Sequence, residues 1–145
     1  MNYLQNKLKA MMSAGFWRLK TGTLGEITYD DTDWGLDDNL ITLYSSTFVK
    51  AKDYTVSWSM YLENGGASHT DYINAKLYGY NESNVWELLE EWNTTRPPSS
   101  TLTRTGTFTV TDIIVTRFKW VISHTDREYY AHGFLKATSW YQKGS

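Results

Sequence analysis

The stretch Ile73-Asn74-Ala75-Lys76-Leu77-Tyr78-Gly79-Tyr80-Asn81-Glu82-Ser83-Asn84-Val85-Trp86-Glu87-Leu88-Leu89-Glu90-Glu91-Trp92 decides how the chain is read. Residue character alternates as far as Gly79, a polar turn from Asn81 to Asn84 interrupts it, and a second run carries Trp86, Leu88 and Leu89. Asn, Ser and Gly tolerate the backbone angles that reverse a chain, so two strand-like runs around such a turn predict a β-hairpin. Helix competes for residues 85–92, because Leu, Glu and Trp are all acceptable there and the two apolar clusters do not decide the matter.

On either side the pattern is that of an all-β chain. Residues 53–63 alternate most clearly, with Tyr54, Val56, Trp58, Met60 and Leu62 on one face and Thr55, Ser57 and Ser59 on the other. That is a half-buried strand. Residues 113–123 put Ile114, Phe118, Trp120 and Ile122 opposite Arg117 and Lys119, so Trp58 and Trp120 are expected in the core. Segments 16–20, 26–29 and 41–46 read as short strands separated by Gly and Asp clusters, and 64–68 as a loop. Residues 105–111 and 129–141, the latter broken by Gly133, are further strand regions. Residues 93–101 hold Pro97 and Pro98 and are expected to be an irregular connection. About eight or nine short strands with loops of this length predict an antiparallel β-sandwich or jelly roll.

Before them, residues 1–14 place Leu4, Leu8, Met11 and Met12 at helical spacing, with Gly15 as a stop. This predicts a short helix, either packed on its own domain or serving as an arm that docks on a neighbouring subunit. Residues 15–145 then form one domain, a size that can enclose a single core. The opening has no apolar h-region and does not resemble a secretory signal. A destination outside a cell is therefore expected by another route, such as assembly into a virus particle.

The net charge of −2 makes no electrostatic case for nucleic acid or an anionic membrane as main partner. No run of eighteen apolar residues is present to span a bilayer. Without cysteine there are no disulfides or thiolate metal sites. Aromatic residues make up 16% of the chain, with 7 Trp and 11 Tyr, more than a domain of this size is expected to hide. Several should lie at the surface as binding platforms or interface anchors.

One loop concentrates carboxylates: Asp30-Asp31-Thr32-Asp33-Trp34-Gly35-Leu36-Asp37-Asp38-Asn39. Ca²⁺ takes six to eight oxygen ligands, which such a loop can supply, although Asp is equally a turn-former in a solvated loop. The segment running from Asp37 through Asn39 and Thr42 to Ser45 resembles the D-G-N-x-x-T-x-W-x-S of discoidin-like, or galactose-binding-like, β-sandwich domains. Leu77 to Leu89 is similar to that family's L-Y-G-S-N-D-G-x-x-W-x-x-L, and residues 115–122 resemble its penultimate strand. The motifs occur in the family's order, and the resemblance spans roughly residues 15–141. It implies a jelly-roll sandwich in which 85–92 is strand, without catalysis, binding a glycan, lipid head group or protein through loops at one end. It also implies a structural Ca²⁺ held by Asp37 and Asn39, aided by Asp31 or Asp33. Asp38 stands where the family has glycine, and Tyr44 where it has tryptophan.

Catalytic constellations are sparse. His69, His124 and His132 lack metal-ligand spacing, and the pairs His69/Asp71 and His124/Asp126 have no visible orienting third group. Glu87 and Glu91 would share one face of a regular strand, as paired carboxylates for glycoside hydrolysis require, but surface charge explains them equally. The expectation is a non-catalytic binding or assembly module, a component of a phage particle such as a tail, baseplate or head-decoration protein. A free glycan-binding lectin is the alternative and a small carbohydrate-active enzyme ranks last. Expected partners are a glycan or the protein subunits of a larger assembly, including copies of the chain itself. Trp34, with His69, Tyr72 and Arg96, is the expected contact surface, since loops at one end of a sandwich bring distant residues together.

Overall fold

The computed structural model describes residues 2–6, 16–31, 40–64, 70–125 and 128–143. Eight strands run through them: β1 (Trp17–Asp31), β2 (Leu40–Tyr44), β3 (Lys52–Asn64), β4 (Asp71–Asn81), β5 (Trp86–Arg96), β6 (Leu102–Val110), β7 (Val115–His124) and β8 (Glu128–Lys143). They form two sheets, ordered β1-β8-β3-β6 and β2-β7-β4-β5. Every pairing within them is antiparallel. Each connection from one strand to the next crosses between the sheets, with one exception, β4 to β5. This interleaving makes the chain a jelly-roll β-sandwich.

The exception is the hairpin read from the sequence. Asn81 builds its turn: its Oδ1 accepts from the backbone N–H of Ser83 (2.9 Å) and of Val85 (3.1 Å). Backbone bonds from Asn84 N to Asn81 O and from Asn81 N to Val85 O, both 3.0 Å, close the reversal. Asn84 takes a left-handed φ of 59°, which Asn tolerates better than most residues. Residues 86–92 are therefore strand. Their uneven pattern has a local cause, because the register with β4 shifts between Leu77 and Tyr78, leaving Leu89 as an extra residue on β5.

Three sequence boundaries need correction. Segments 16–20 and 26–29 are parts of one continuous β1. Gly22 (φ 140°) and Gly25 (φ 64°) lie at two register shifts in that strand, so they serve irregularities in pairing and not chain reversals. A side chain at Gly25 would strike the rings of Phe118 and Phe48. The stretch 93–101 is not wholly irregular, since β5 continues to Arg96 and the loop begins at Pro97. Ile114 precedes β7, and Val115, bridged to Ala51, takes the buried position.

The core lies between the sheets. Tyr54, Val56, Met60 and Leu62 of β3 face Leu77 of β4 and Phe118, Trp120 and Ile122 of β7, all essentially without solvent contact. Trp58 points inward too and is partly buried, stacked on Trp92 with centroids 4.7 Å apart and planes 20° from parallel. Gly106 makes room for it, since a Cβ there would collide with the indole.

Helical conformation is described for residues 3–6. Asn2 and Gln5 form a reciprocal cap, the Asn2 Oδ1 accepting from Gln5 N (2.8 Å) and the Gln5 Oε1 from Asn2 N (3.1 Å). The rest of the expected helix, 7–14, and Gly15 lie outside the described residues.

Candidate functional site: the outer face of the β2-β7-β4-β5 sheet

Period-two geometry sends Ile73, Ala75 and Leu77 of β4 into the core and Tyr72, Asn74, Lys76, Tyr78 and Tyr80 outward. Register then assembles a face from four strands. Tyr44 of β2 lies opposite Lys119 of β7, which lies opposite Tyr78 of β4, which lies opposite Leu88 of β5. One step along, Tyr80 pairs with Trp86.

Rings converge at this end of the face. Trp86 packs against Tyr80 (centroids 5.1 Å) and also against Tyr44 (5.8 Å). β5 and β2 are the two edges of the sheet, about 14 Å apart if strands keep their usual spacing of about 4.8 Å. The two rings must therefore lean toward each other over β7 and β4. Two cations sit among them. The Lys119 Nζ lies 4.7 Å from the Tyr78 centroid and 4.8 Å from that of Trp86. The Arg117 guanidinium lies 4.8 Å over Tyr44, anchored by its Nε donating to the Ser45 carbonyl at 2.8 Å. Ser45 is itself fixed, its Oγ accepting from Phe118 N at 2.9 Å.

The other end of the same face is polar. Asn74 Nδ2 donates to Glu91 Oε2 (2.7 Å) and to Asn93 Oδ1 (2.9 Å), giving a cross-strand amide and carboxylate ladder. Tyr72 closes that end, 62% exposed, so this expected contact residue is on the surface and shares the face with Tyr78 and Tyr80.

Arg96 corrects an expectation. It is fully buried, because alternation along β5 turns it inward opposite Asp71 of β4, and it cannot belong to an exposed contact surface. Its Nη1 donates to the carbonyls of Pro97 (3.1 Å) and Ser100 (3.3 Å) and so pins the proline loop. Asp71, equally buried, accepts from Thr125 N at 2.8 Å, and its Oδ2 lies 3.9 Å from His124 Nδ1. The sequence pairing of His124 with Asp126 missed Asp71, which faces it across the β4–β7 pairing. His132 stacks on Tyr61 at 4.6 Å, on the outer side of the other sheet.

Glu87 and Glu91 do not share a face, because the extra residue on β5 lies between them. Glu91 pairs with Lys76 on the outer face, while Glu87 pairs with the buried Gly79. Glu87 accepts from Asn81 Nδ2 at 3.1 Å. Burial raises the pKa of the Tyr54 phenol well above its ordinary value, and the charge of Glu87 adds to the shift.

Trp34, Asp33, Asp37, Asn39 and His69 lie outside the described residues, and Asp31 is described only in its backbone, as the end of β1. Among the described residues, no three His, Cys, Asp or Glu side chains cluster so as to hold a metal ion. No helix of the described residues is long and apolar enough to cross a membrane.

Sequence reasoning missed Tyr44, Tyr78, Trp86, Arg117 and Lys119 as a group. A signal was present: Tyr72, Tyr78 and Tyr80 recur at even spacing opposite the apolar face of the hairpin strand.

No protein-family model and no curated protein matches the sequence. Solved structures do share the fold. Caldicellulosiruptor saccharolyticus CBM27-1, in complex with mannohexaose, matches with a TM-score of 0.50 at 8% identity, over 88% of this chain and 83% of that one. Infectious bursal virus derived T=1 particles match with a TM-score of 0.50 at 13% identity, over 90% of this chain. The chain spans about a third of that viral chain, 33% of its length. Identities this low make the likeness one of fold.

Proposed function

We propose that this chain is a non-catalytic recognition module that binds a glycan on the outer face of the β2-β7-β4-β5 sheet. One observation carries the reading: Trp86 and Tyr44, from opposite edges of the sheet, converge with Tyr80 into one aromatic cluster on its outer face, Tyr44 exposed and Trp86 and Tyr80 half-buried. Sugar rings present an apolar face that stacks on Trp and Tyr, while amides and carboxylates bond the hydroxyls. Both kinds of group occur here, the rings at one end and Asn74, Glu91 and Asn93 at the other. A sandwich of the same fold carries a bound mannohexaose in CBM27-1, which supports the reading at the level of architecture. The discoidin-like resemblance would place binding in the end loops, whereas the side chains favour the sheet.

The test is a glycan array probed with the parent protein and with Trp86→Ala. The parent should bind at least one glycan class, and the variant should bind it at least tenfold more weakly with an unchanged melting curve. An array on which the parent binds nothing, or on which the variant matches it, overturns the proposal.

A second reading, a structural component of a phage particle, is favoured by the N-terminal turn. Its cap holds residues 3–6 helical while Tyr3 and Leu4 remain 74% exposed, as an arm that docks on a neighbouring subunit would require. Sedimentation separates the settings, a ring or larger assembly supporting the particle subunit and a monomer the free lectin.

A further inference from the structure

Resting on the glycan reading, we infer that the sugar taken at the aromatic end of this face is acidic, a chain of uronic acids whose carboxylates pair with Lys119 and Arg117. A platform for neutral sugars needs bare rings. Here an ammonium group is held over two of the rings and a guanidinium over a third. Neither cation is neutralised among the described residues. The nearby carboxylates are engaged elsewhere or turned away: Glu82 pairs with Lys50 at the hairpin turn, Glu91 accepts from Asn74 at the far end, and Glu87 lies on the inward register. Arg117 uses Nε on the Ser45 carbonyl, which fixes the plane of its guanidinium. Planar guanidinium groups match carboxylates in a two-pronged geometry, and the flexible lysine stem lets its charge follow a second carboxylate.

The position of the cations is the second part of the argument. Lys119 lies in the middle of the row, between Tyr44 and Tyr78. A sugar stacked on the flanking rings would bring its ring substituents onto the ammonium. A carboxylate there gains an ion pair beside apolar surface, where screening by water is reduced. A neutral sugar would have to displace the cation from the ring faces and gain no ion pair in return.

The experiment compares polygalacturonate, alginate and hyaluronan with the same polysaccharides after carboxyl reduction, and with neutral mannan and glucan, by affinity electrophoresis and calorimetry. The inference expects at least one acidic polymer to bind tenfold or more tighter than its reduced form. Raising the salt to about 1 M should abolish most of that difference, since the Debye length shrinks to about 3 Å. Lys119→Met should lose the acidic preference, and Lys119→Arg should retain it, with both melting curves matching the parent. Equal binding of acidic and reduced polymers, or binding of mannan or glucan alone, overturns the acidic inference and leaves the glycan reading standing. Absence of binding to every polymer overturns the acidic inference, while the glycan reading falls only if the array is also blank. A Lys119→Met protein that keeps the full acidic preference removes Lys119 from the site, and with it the inference.

Discussion

On the β3–β6 half of the outer face of the β1-β8-β3-β6 sheet, hydroxyls meet hydroxyls: Thr55 lies 3.3 Å from Thr109 and Ser57 3.5 Å from Thr107. On the outer face of the other sheet, rings meet rings and cations. Both faces come from the same period-two alternation, and both are solvent-facing sides of four-stranded sheets. The first bonds to itself with short side chains only along β3–β6. Along β1–β8 it too carries rings and cations, with Leu19 57% exposed, Lys52 and Lys143 over Trp17 and Lys136 over Phe134. Among the described residues, no ring there bridges the two edges of the sheet. The second leaves Tyr44 50% and Leu88 47% exposed, an arrangement that gains from a partner. The β1–β8 half of the hydroxyl sheet carries an open groove of about 550 Å³, lined by Glu26, Asp30, His132 and Lys136 among others, yet the converging rings are on the opposite sheet.

The largest effect expected is at the boundary between inside and outside. Trp120 follows Lys119 in sequence but points the opposite way, fully buried. Trp120→Ala should cost about 3–5 kcal/mol in urea unfolding, through lost burial and a residual cavity. A nearly unchanged midpoint would mean that the two sides of β7 are assigned the wrong way round.

Next comes the contrast between the faces. Trp86→Ala should weaken glycan binding tenfold or more, about 1.4 kcal/mol, while Thr107→Ala on the hydroxyl face should leave it unchanged. Comparable losses from both variants, measured by calorimetry, would erase the distinction between the two sheets.

A smaller effect tests what the hydroxyl face does by itself. Replacing both Ser57 and Thr107 by Ala should cost about 0.2–1 kcal/mol, the range of a cross-strand pair. A double-mutant cycle reads the coupling directly, and a value indistinguishable from zero would show that the pair only coats the sheet.

The smallest effect concerns the core beneath the aromatic face. The Tyr54 hydroxyl is buried without a hydrogen-bond partner among the described residues. Tyr54→Phe should therefore change stability by about 1 kcal/mol or less, and in the stabilising direction. Burial raises the pKa values of both Tyr54 and Tyr29 above the ordinary 10.0. The folded state thus favours the neutral phenol, so stability is fully present below about pH 10 and falls as the pH rises above it. Phenolate absorbance should show Tyr29 and Tyr54 resisting ionisation until the protein unfolds, so that Tyr54→Phe has one resistant phenol fewer than the parent. Ionisation of all eleven tyrosines near their ordinary pKa in the folded parent would contradict the burial.

Much of this architecture is local information. The hairpin was legible because Asn81 and Asn84 are turn residues and β4 and β5 are adjacent in both sequence and sheet. The inward residues of β3 were legible because five apolar side chains alternate without a break. Errors arose where alternation slips. The bulges in β1 looked like strand ends, since glycine marks both, and the extra residue on β5 moved Glu87 off the face of Glu91. Arg96 misled for a related reason: a charged residue before a proline pair reads as exposed loop, whereas here it is an inward strand position opposite a buried carboxylate.

The sequence by itself determined that the chain is an all-β sandwich, which residues of β3 and β4 face inward, and that more rings are present than a core requires. Those are consequences of period two and of turn chemistry, which act over a few residues. Only the tertiary structure decided that Tyr44, Tyr78, Trp86, Arg117 and Lys119 meet, and that Asp71, Arg96 and His124 gather beneath the surface. Every connection but one crosses between sheets, so neighbours on a face come from distant parts of the chain. Their juxtaposition depends on strand order and register, which the packing of the two sheets fixes and no local pattern encodes.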